Sequence, residues 1–257
     1  NPFQVKWAMD YRHLESYMSE LRVLKRTWKN QIEVFTGLEA DYIPKIIGPK
    51  TTFIKELNLD YVIGAVHFIY SSHYKMLIPI DGSRQDFLNG ISIVFSGDIK
   101  RMVTKYYELL REMLIYSTPD IVAHPDKIKY HNYTGQILFD ENEDWYQKLI
   151  HKTLKTIKRT KVIVELNTRG KYKYGSSFYP SWKWLEEIYL LKIPVTLSSD
   201  AHKPKETAAG YSEALQTLKD IGFRELYCLK NCEWTAVDIR DFEYMENFSI
   251  FLEEAVR

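Results

Sequence analysis

Apolar and polar residues change their spacing repeatedly along this chain. Residues 11–29 carry Leu14, Met18, Leu21 and Leu24 near helical spacing with charges between them, which predicts an amphipathic helix. The segment 31–43 predicts a short strand from Ile32 to Phe35, followed by a glycine and an acidic pair. Residues 59–69, rich in Val and Ile, predict a second strand ending near His67, and residues 98–116 a clear amphipathic helix capped by Asp98. The alternation then repeats. Strands are predicted at 120–126, 161–168, 194–202 and 224–229, and helices at 141–160, 181–192 and 207–221, the last stopped by Gly222. Residues 230–257 read as a closing helix. Strands that alternate with helices become parallel neighbours joined by crossovers. No shift in composition marks a linker, so residues 1–257 are expected to form a single α/β domain. Five or six strands in this order suit either an open doubly wound sheet or a barrel, and periodicity does not choose between them.

Composition narrows the function classes. Hydrophobic residues make up 45% and charged residues 27%, which excludes disorder as the main state. Lys plus Arg number 35 against 34 Asp plus Glu, so no global field draws the chain to nucleic acid or an anionic membrane, and any anion site must be local. No apolar run approaches the ~18 residues of a spanning helix. Cys228 and Cys232 are expected to be ordinary reduced thiols, since two cysteines make no framework and CxxxC alone is a poor zinc signal. These features leave a cytoplasmic protein without a nucleic-acid or membrane partner as the expectation.

The chemistry collects at strand ends. His67, His124 and His202 each stand at or just after a predicted strand, with Glu39, Asp126 and Asp200 beside them. In parallel α/β folds the C-terminal ends of strands carry the active site. A convergent set of imidazoles and carboxylates is the ligand set of a Zn, Mn or Fe hydrolytic centre. Each residue alone has a plainer reading: a hydrogen-bonded histidine, a turn aspartate at Asp41, a helix cap at Asp126. Recurrence of the same residue types at the same structural phase favours the metal site. Asp126 is also placed to orient a ligand histidine. His13 and His151 suit solvated helix faces, His131 a polar loop, and His73 follows His67 closely enough to face the pocket. Arg169 follows the strand ELNT, where its planar fork can reach a phosphate. Lys127, Lys129, Lys171 and Lys173 suit a solvated loop, the alternative being a local cationic patch beside the metal centre that would serve a phosphate.

The segments GLEADYIP (37–44), GAVHFI (64–69), AHPDKIK (123–129), VELNTRG (164–170), YPSWKWL (179–185) and SSDAHKP (198–204), in that order, resemble the polymerase and histidinol phosphatase (PHP) family, and within it the histidinol-phosphate phosphatase branch. The resemblance implies a distorted (β/α)7-type barrel with up to three divalent metals, Zn, Mn or Fe, in its mouth. By motif match Glu39, His67, His124, Asp200 and His202 would be metal ligands, with Glu39 bridging two metals. Glu39, Asp200 and His202 would form the catalytic set, and Arg169 would bind the substrate phosphate. The implied reaction is hydrolysis of a phosphate monoester by a metal-activated hydroxide, here L-histidinol phosphate to L-histidinol and phosphate, in histidine biosynthesis. The alternatives are a PHP phosphoesterase acting on nucleotides or oligonucleotides, and a PHP-fold binding module without catalysis. The balanced charge speaks against a nucleic-acid groove.

One departure stands out. The family opens with a strand bearing His-x-His, and this sequence contains no His-x-His and starts at Asn1-Pro2. The first strand or strands of the barrel are therefore expected to lie outside the chain as given. With five matched ligands, fewer metals than three, or none, would be held.

Overall fold

The computed structural model describes residues 9–245. A helix α1 (Leu14–Trp28) leads into strand β1 (Gly37–Asp41), a short helix α2 (Thr52–Glu56) and strand β2 (Tyr61–Ala65). Strands β3 (Phe68–Ser71) and β4 (Met76–Pro79) follow, then helices α3 (Arg84–Phe95) and α4 (Ile99–Tyr116). Next come strand β5 (Ile121–Val122), helices α5 (Tyr130–Tyr133) and α6 (Asp144–Thr160), and strand β6 (Ile163–Asn167). Helices α7 (Arg169–Tyr174) and α8 (Trp182–Leu190), strand β7 (Val195–Ser198), helix α9 (Tyr211–Ile221), and strands β8 (Glu225–Lys230) and β9 (Glu233–Asp238) complete the described fold.

Five strands form one parallel sheet in the order β1-β2-β5-β6-β7. Strand β6 is buried along its whole length, as a strand covered on both faces must be. Helices α4 and α6 pack side by side against the sheet, with Arg111 Nη1 donating to Thr153 Oγ1 across the contact at 3.0 Å. Tyr106, Tyr107, Tyr146 and Trp184 are fully buried, and the Tyr107 and Tyr146 hydroxyls meet at 3.0 Å. Much of the high aromatic content therefore fills the core, where the Tyr106 hydroxyl also reaches the Pro125 carbonyl at 3.3 Å. Asp98 caps α4 by accepting from the Arg101 amide at 3.1 Å, and Gly222 ends α9 at φ +113°, both as the sequence predicts.

The sheet has a covered N-terminal end. Hairpin β8–β9 lies against β7 and reaches across to the β1–β2 side. There the Asn231 amide donates to Glu33 Oε1 at 3.0 Å, and Trp234 meets the Tyr61 ring edge-on at 6.1 Å. Tyr61 in turn leans over Gly37, where a Cβ would fall 2.3 Å from its ring, so any side chain there would require the ring to move. Asp60 receives the Thr36 amide at 2.5 Å and pairs with Lys25, tying α1, β1 and β2 together. Main-chain pairing between β7 and β1 is absent among the described residues, and the hairpin spans the two sheet edges without joining their ladder.

Three expectations are corrected. The first strand lies at Gly37–Asp41 and not at 32–35, because β1 takes its register from parallel pairing with β2, Gly37 opposite Tyr61 through Asp41 opposite Ala65. The strand expected at 59–69 breaks after Ala65, and Phe68 onward turns away into the β3–β4 hairpin. The segment read as a closing helix contains β9 and a 3-10 helical stretch, Ile239–Met245, and the rest of it lies outside the described residues.

Candidate metal centre

Each parallel strand delivers a polar side chain at or just beyond its C-terminal end. Strand β1 carries Glu39 and Asp41, His67 follows β2, His124 follows β5, Asn167 ends β6, and Asp200 and His202 follow β7. All of these except Asn167 border a cavity of about 900 Å³ that Arg169, Lys127 and Asp81 also line. Its far wall is apolar, built from Ile43, Ile46, Ile47, Phe53 and Leu77.

Three of these side chains converge. Glu39 Oε1 lies 3.2 Å from His124 Nε2 and 3.3 Å from His67 Nε2, and the two Nε2 atoms are 3.1 Å apart. Ligand atoms ~2.0–2.1 Å from a tetrahedral zinc stand roughly 3.3–3.4 Å from one another, so the triangle has the size of one face of such a site. His67 Nδ1 lies 2.8 Å from Asp41 Oδ1. A carboxylate only accepts, so Nδ1 carries the proton and Nε2 is turned toward the triangle, the usual carboxylate–histidine arrangement behind a metal ligand. Burial works against a charged His67, yet Asp41, Glu39 and Asp81 outweigh it and raise its pKa to about 10. Burial likewise works against the Glu39 carboxylate, but His124, His67 and Lys127 hold it at about 2. The centre thus stabilises positive charge, and a divalent cation in the triangle can take the place of the His67 proton.

A second layer fixes the ends of β5, β6 and β7. The His124 amide donates to Glu165 Oε2 at 2.8 Å. Asn167 Nδ2 donates to Glu165 Oε2 at 3.3 Å and to Asp200 Oδ2 at 3.2 Å. Burial pushes the Glu165 carboxyl up. His124 and Asp200 adopt positive φ, +22° and +50°, the sparsely populated backbone that surrounding structure must enforce. Glu206 is a second hub: it accepts from the His202 amide at 2.9 Å, from Arg169 Nη1 at 3.1 Å and from Lys173 Nζ at 3.3 Å. The His202 amide is the largest cause holding its carboxyl at about 2, and burial opposes it. Arg169 Nη1 is further tied to the Asp200 carbonyl at 2.7 Å, which aims the guanidinium along the cavity wall.

Of the residues expected from the sequence, Glu39, His67 and His124 come together in the triangle. Asp200, His202 and Arg169 line the same cavity outside it, with the His202 ring largely exposed. Asp126 does not orient a histidine. It is fully buried, pairs with Lys129 at 2.6 Å and accepts from the Ser181 amide at 2.9 Å. Lys127 and Lys129 are buried as well, not solvated, because they pack over the Tyr179 ring at 5.0 and 5.2 Å. His131 is buried on Phe87 and not in a polar loop. His73 is exposed in the β3–β4 turn, away from the cavity. Asp41, Glu165, Asn167 and Glu206 were not singled out as site residues in the sequence. Glu165 and Asn167 stand two apart on β6, hence on one face, and that spacing was a usable signal. Nothing in the polar run after His202 marks Glu206.

The PHP domain signature matches residues 9–169. A probable histidinol-phosphatase of Schizosaccharomyces pombe is 26% identical over 217 residues, covering 84% of this chain and 69% of that protein. The histidinol-phosphatase of Bacillus subtilis is 26% identical over 216 residues, covering 81% and 78%. Among solved structures, a provisionally named histidinol phosphatase of Listeria monocytogenes superposes with a TM-score of 0.68 at 20% identity, covering 80% of this chain and 77% of that one. A histidinol phosphate phosphatase of Lactococcus lactis, complexed with zinc, L-histidinol and phosphate, gives 0.56 at 17% identity, covering 86% and 79%. Among the described residues no helix is long and apolar enough to cross a membrane. With a signature spanning more than half of its length over the strands that build the triangle, this chain belongs to the PHP family.

Proposed function

We propose that this protein is a metal-dependent phosphomonoesterase whose substrate is L-histidinol phosphate, acting in histidine biosynthesis in the cytoplasm. The observation that carries the reading is the Glu39–His67–His124 triangle, with edges of 3.1–3.3 Å, at the strand ends beside Arg169. The names of the relatives, at about a quarter identity, support the same substrate. Glu39, His67 and His124 would hold one divalent cation, and Asp200 and His202 would complete the ligand set from the opposite wall. Zn, Mn and Fe all accept such nitrogen and oxygen donors. When bound, the cation supplies Lewis acidity toward a phosphoryl oxygen and a more acidic water.

The chain's own residues do the rest. Arg169, already aligned by Glu206 and the Asp200 carbonyl, offers its remaining N–H groups to the phosphate and offsets charge that grows on its oxygens. Asp41 keeps Nε2 of His67 facing the reacting centre. The apolar wall of Ile43, Ile47 and Phe53 excludes water behind the substrate and suits the flat imidazole and its methylene. The test is phosphate release from L-histidinol phosphate with zinc or manganese supplied. His124→Ala is expected to lower kcat/KM by about 1,000-fold or more, several kcal/mol of lost transition-state stabilisation. An unchanged rate in that variant, or no release by the native protein with either metal, would sink the assignment.

A further inference from the structure

Among the described residues four carboxylates line the cavity: Glu39, Asp41, Asp81 and Asp200. Three have roles already. Glu39 belongs to the triangle, Asp41 holds His67, and Asp200 is tied to Asn167. Asp81 stands outside the triangle and acts on it only through the charge it places near His67. It follows β4, and the turn that carries it is pinned to the centre because the Ile80 amide donates to the His67 carbonyl at 2.8 Å. Among the described residues its one ion pair is with Lys127, whose Nζ stands 3.6 Å from Oδ2, too far for a hydrogen bond. Lys127 is nearly buried and rests over the Tyr179 ring, whereas the Asp81 side chain is about a quarter exposed. A carboxylate accepts several hydrogen bonds, and this one retains that capacity toward the cavity.

We infer that Asp81 is the residue that recognises a substrate ammonium, making the site selective for phosphomonoesters that carry a primary amine close to the ester. The inference deepens the proposed function and rests on it. In L-histidinol phosphate the ammonium sits on the carbon next to the one bearing the ester oxygen. Its partner must therefore stand beside the phosphate site, and Asp81 stands beside His67 and Lys127. Lys127 stands beside Asp81, and the buried lysine is itself held over the aromatic ring, so the incoming ammonium meets a carboxylate at a fixed place on the cavity wall. The apolar wall offers no competing polar partner.

The experiment compares L-histidinol phosphate with its desamino counterpart, which keeps the imidazole and the phosphate and lacks the ammonium. Turnover is measured for the native protein, Asp81→Asn and Asp81→Glu, and binding of L-histidinol is followed by calorimetry. Asp81→Asn is expected to lower kcat/KM for the amine substrate roughly 10- to 100-fold, mainly through KM, and to leave the desamino substrate within about threefold. Asp81→Glu is expected to recover part of the discrimination, and L-histidinol binding should weaken in parallel in Asp81→Asn with its melting temperature unchanged. Equal losses on both substrates would make Asp81 structural and overturn the inference while the phosphatase reading stands. Native protein that hydrolyses neither substrate overturns the phosphatase reading and the inference with it.

Discussion

The two ends of the parallel sheet use the same residue types for opposite purposes. At the N-terminal end, Asp60 and Asp120 precede their strands and accept from main-chain amides, Thr36 at 2.5 Å and Val62 at 2.7 Å. Asp60 also pairs with Lys25, so positive partners there come from the chain itself. At the C-terminal end, Glu39 and Asp41 gather around two imidazoles while Asp200 lines the same cavity, and the backbone at His124 and Asp200 sits in left-handed conformations. One end is closed by internal pairing, with hairpin β8–β9 laid across it. The other keeps an excess of acceptors facing a cavity. An acidic residue next to a strand is thus a staple or a ligand according to which end of the strand it occupies.

That contrast can be broken by experiment. The largest effect is expected from Asp41→Asn, which removes the charge behind His67. Its zinc affinity, read by competition with a chromogenic chelator, should fall about 10- to 100-fold. Affinity equal to the native protein would show that Asp41 does not set the ligand. Asp60→Ala should do the reverse. Leaving the Thr36 amide and Lys25 without their acceptor is expected to cost about 1–3 kcal/mol in urea unfolding while zinc affinity stays native. A loss of metal affinity in this variant would mean that the two ends are not separable.

The smallest effect is confined to pH. Burial, then Arg84, lowers the His131 pKa to about 4 from an ordinary value near 6.5. In this window the unfolded chain binds the extra proton, so stability should be full above about pH 6.5 and decline as pH falls toward about 4. His131→Phe should flatten that part of the melting-temperature profile, and an unaltered slope would assign the acid sensitivity to another group.

Much of this was legible in the sequence. Helix α4 announced itself through its apolar spacing and Asp98, and α9 through Gly222, because local periodicity and caps are properties of consecutive residues. Glu39, His67 and His124 were legible because each sits at the same phase of a strand-then-helix repeat. The first strand was misplaced by several residues because Ile32 to Phe35 is as strand-like as Gly37–Asp41, and only pairing with β2 selects the latter. The buried lysines were misread for a related reason. Their burial depends on Tyr179 and on Asp126, and the first of these lies some fifty residues away.

The sequence by itself determined the alternation of strands and helices, the family, and which residues could be ligands, since all three are written in residue type and spacing. The tertiary structure alone decided that Glu39, His67 and His124 meet at 3.1–3.3 Å while Asp200 and His202 stand apart on the same cavity. It also decided that Asp41, Glu165, Asn167 and Glu206 orient the others. The reason is that a ligand site is a set of distances between residues far apart in the chain, and strand register, not local pattern, sets those distances.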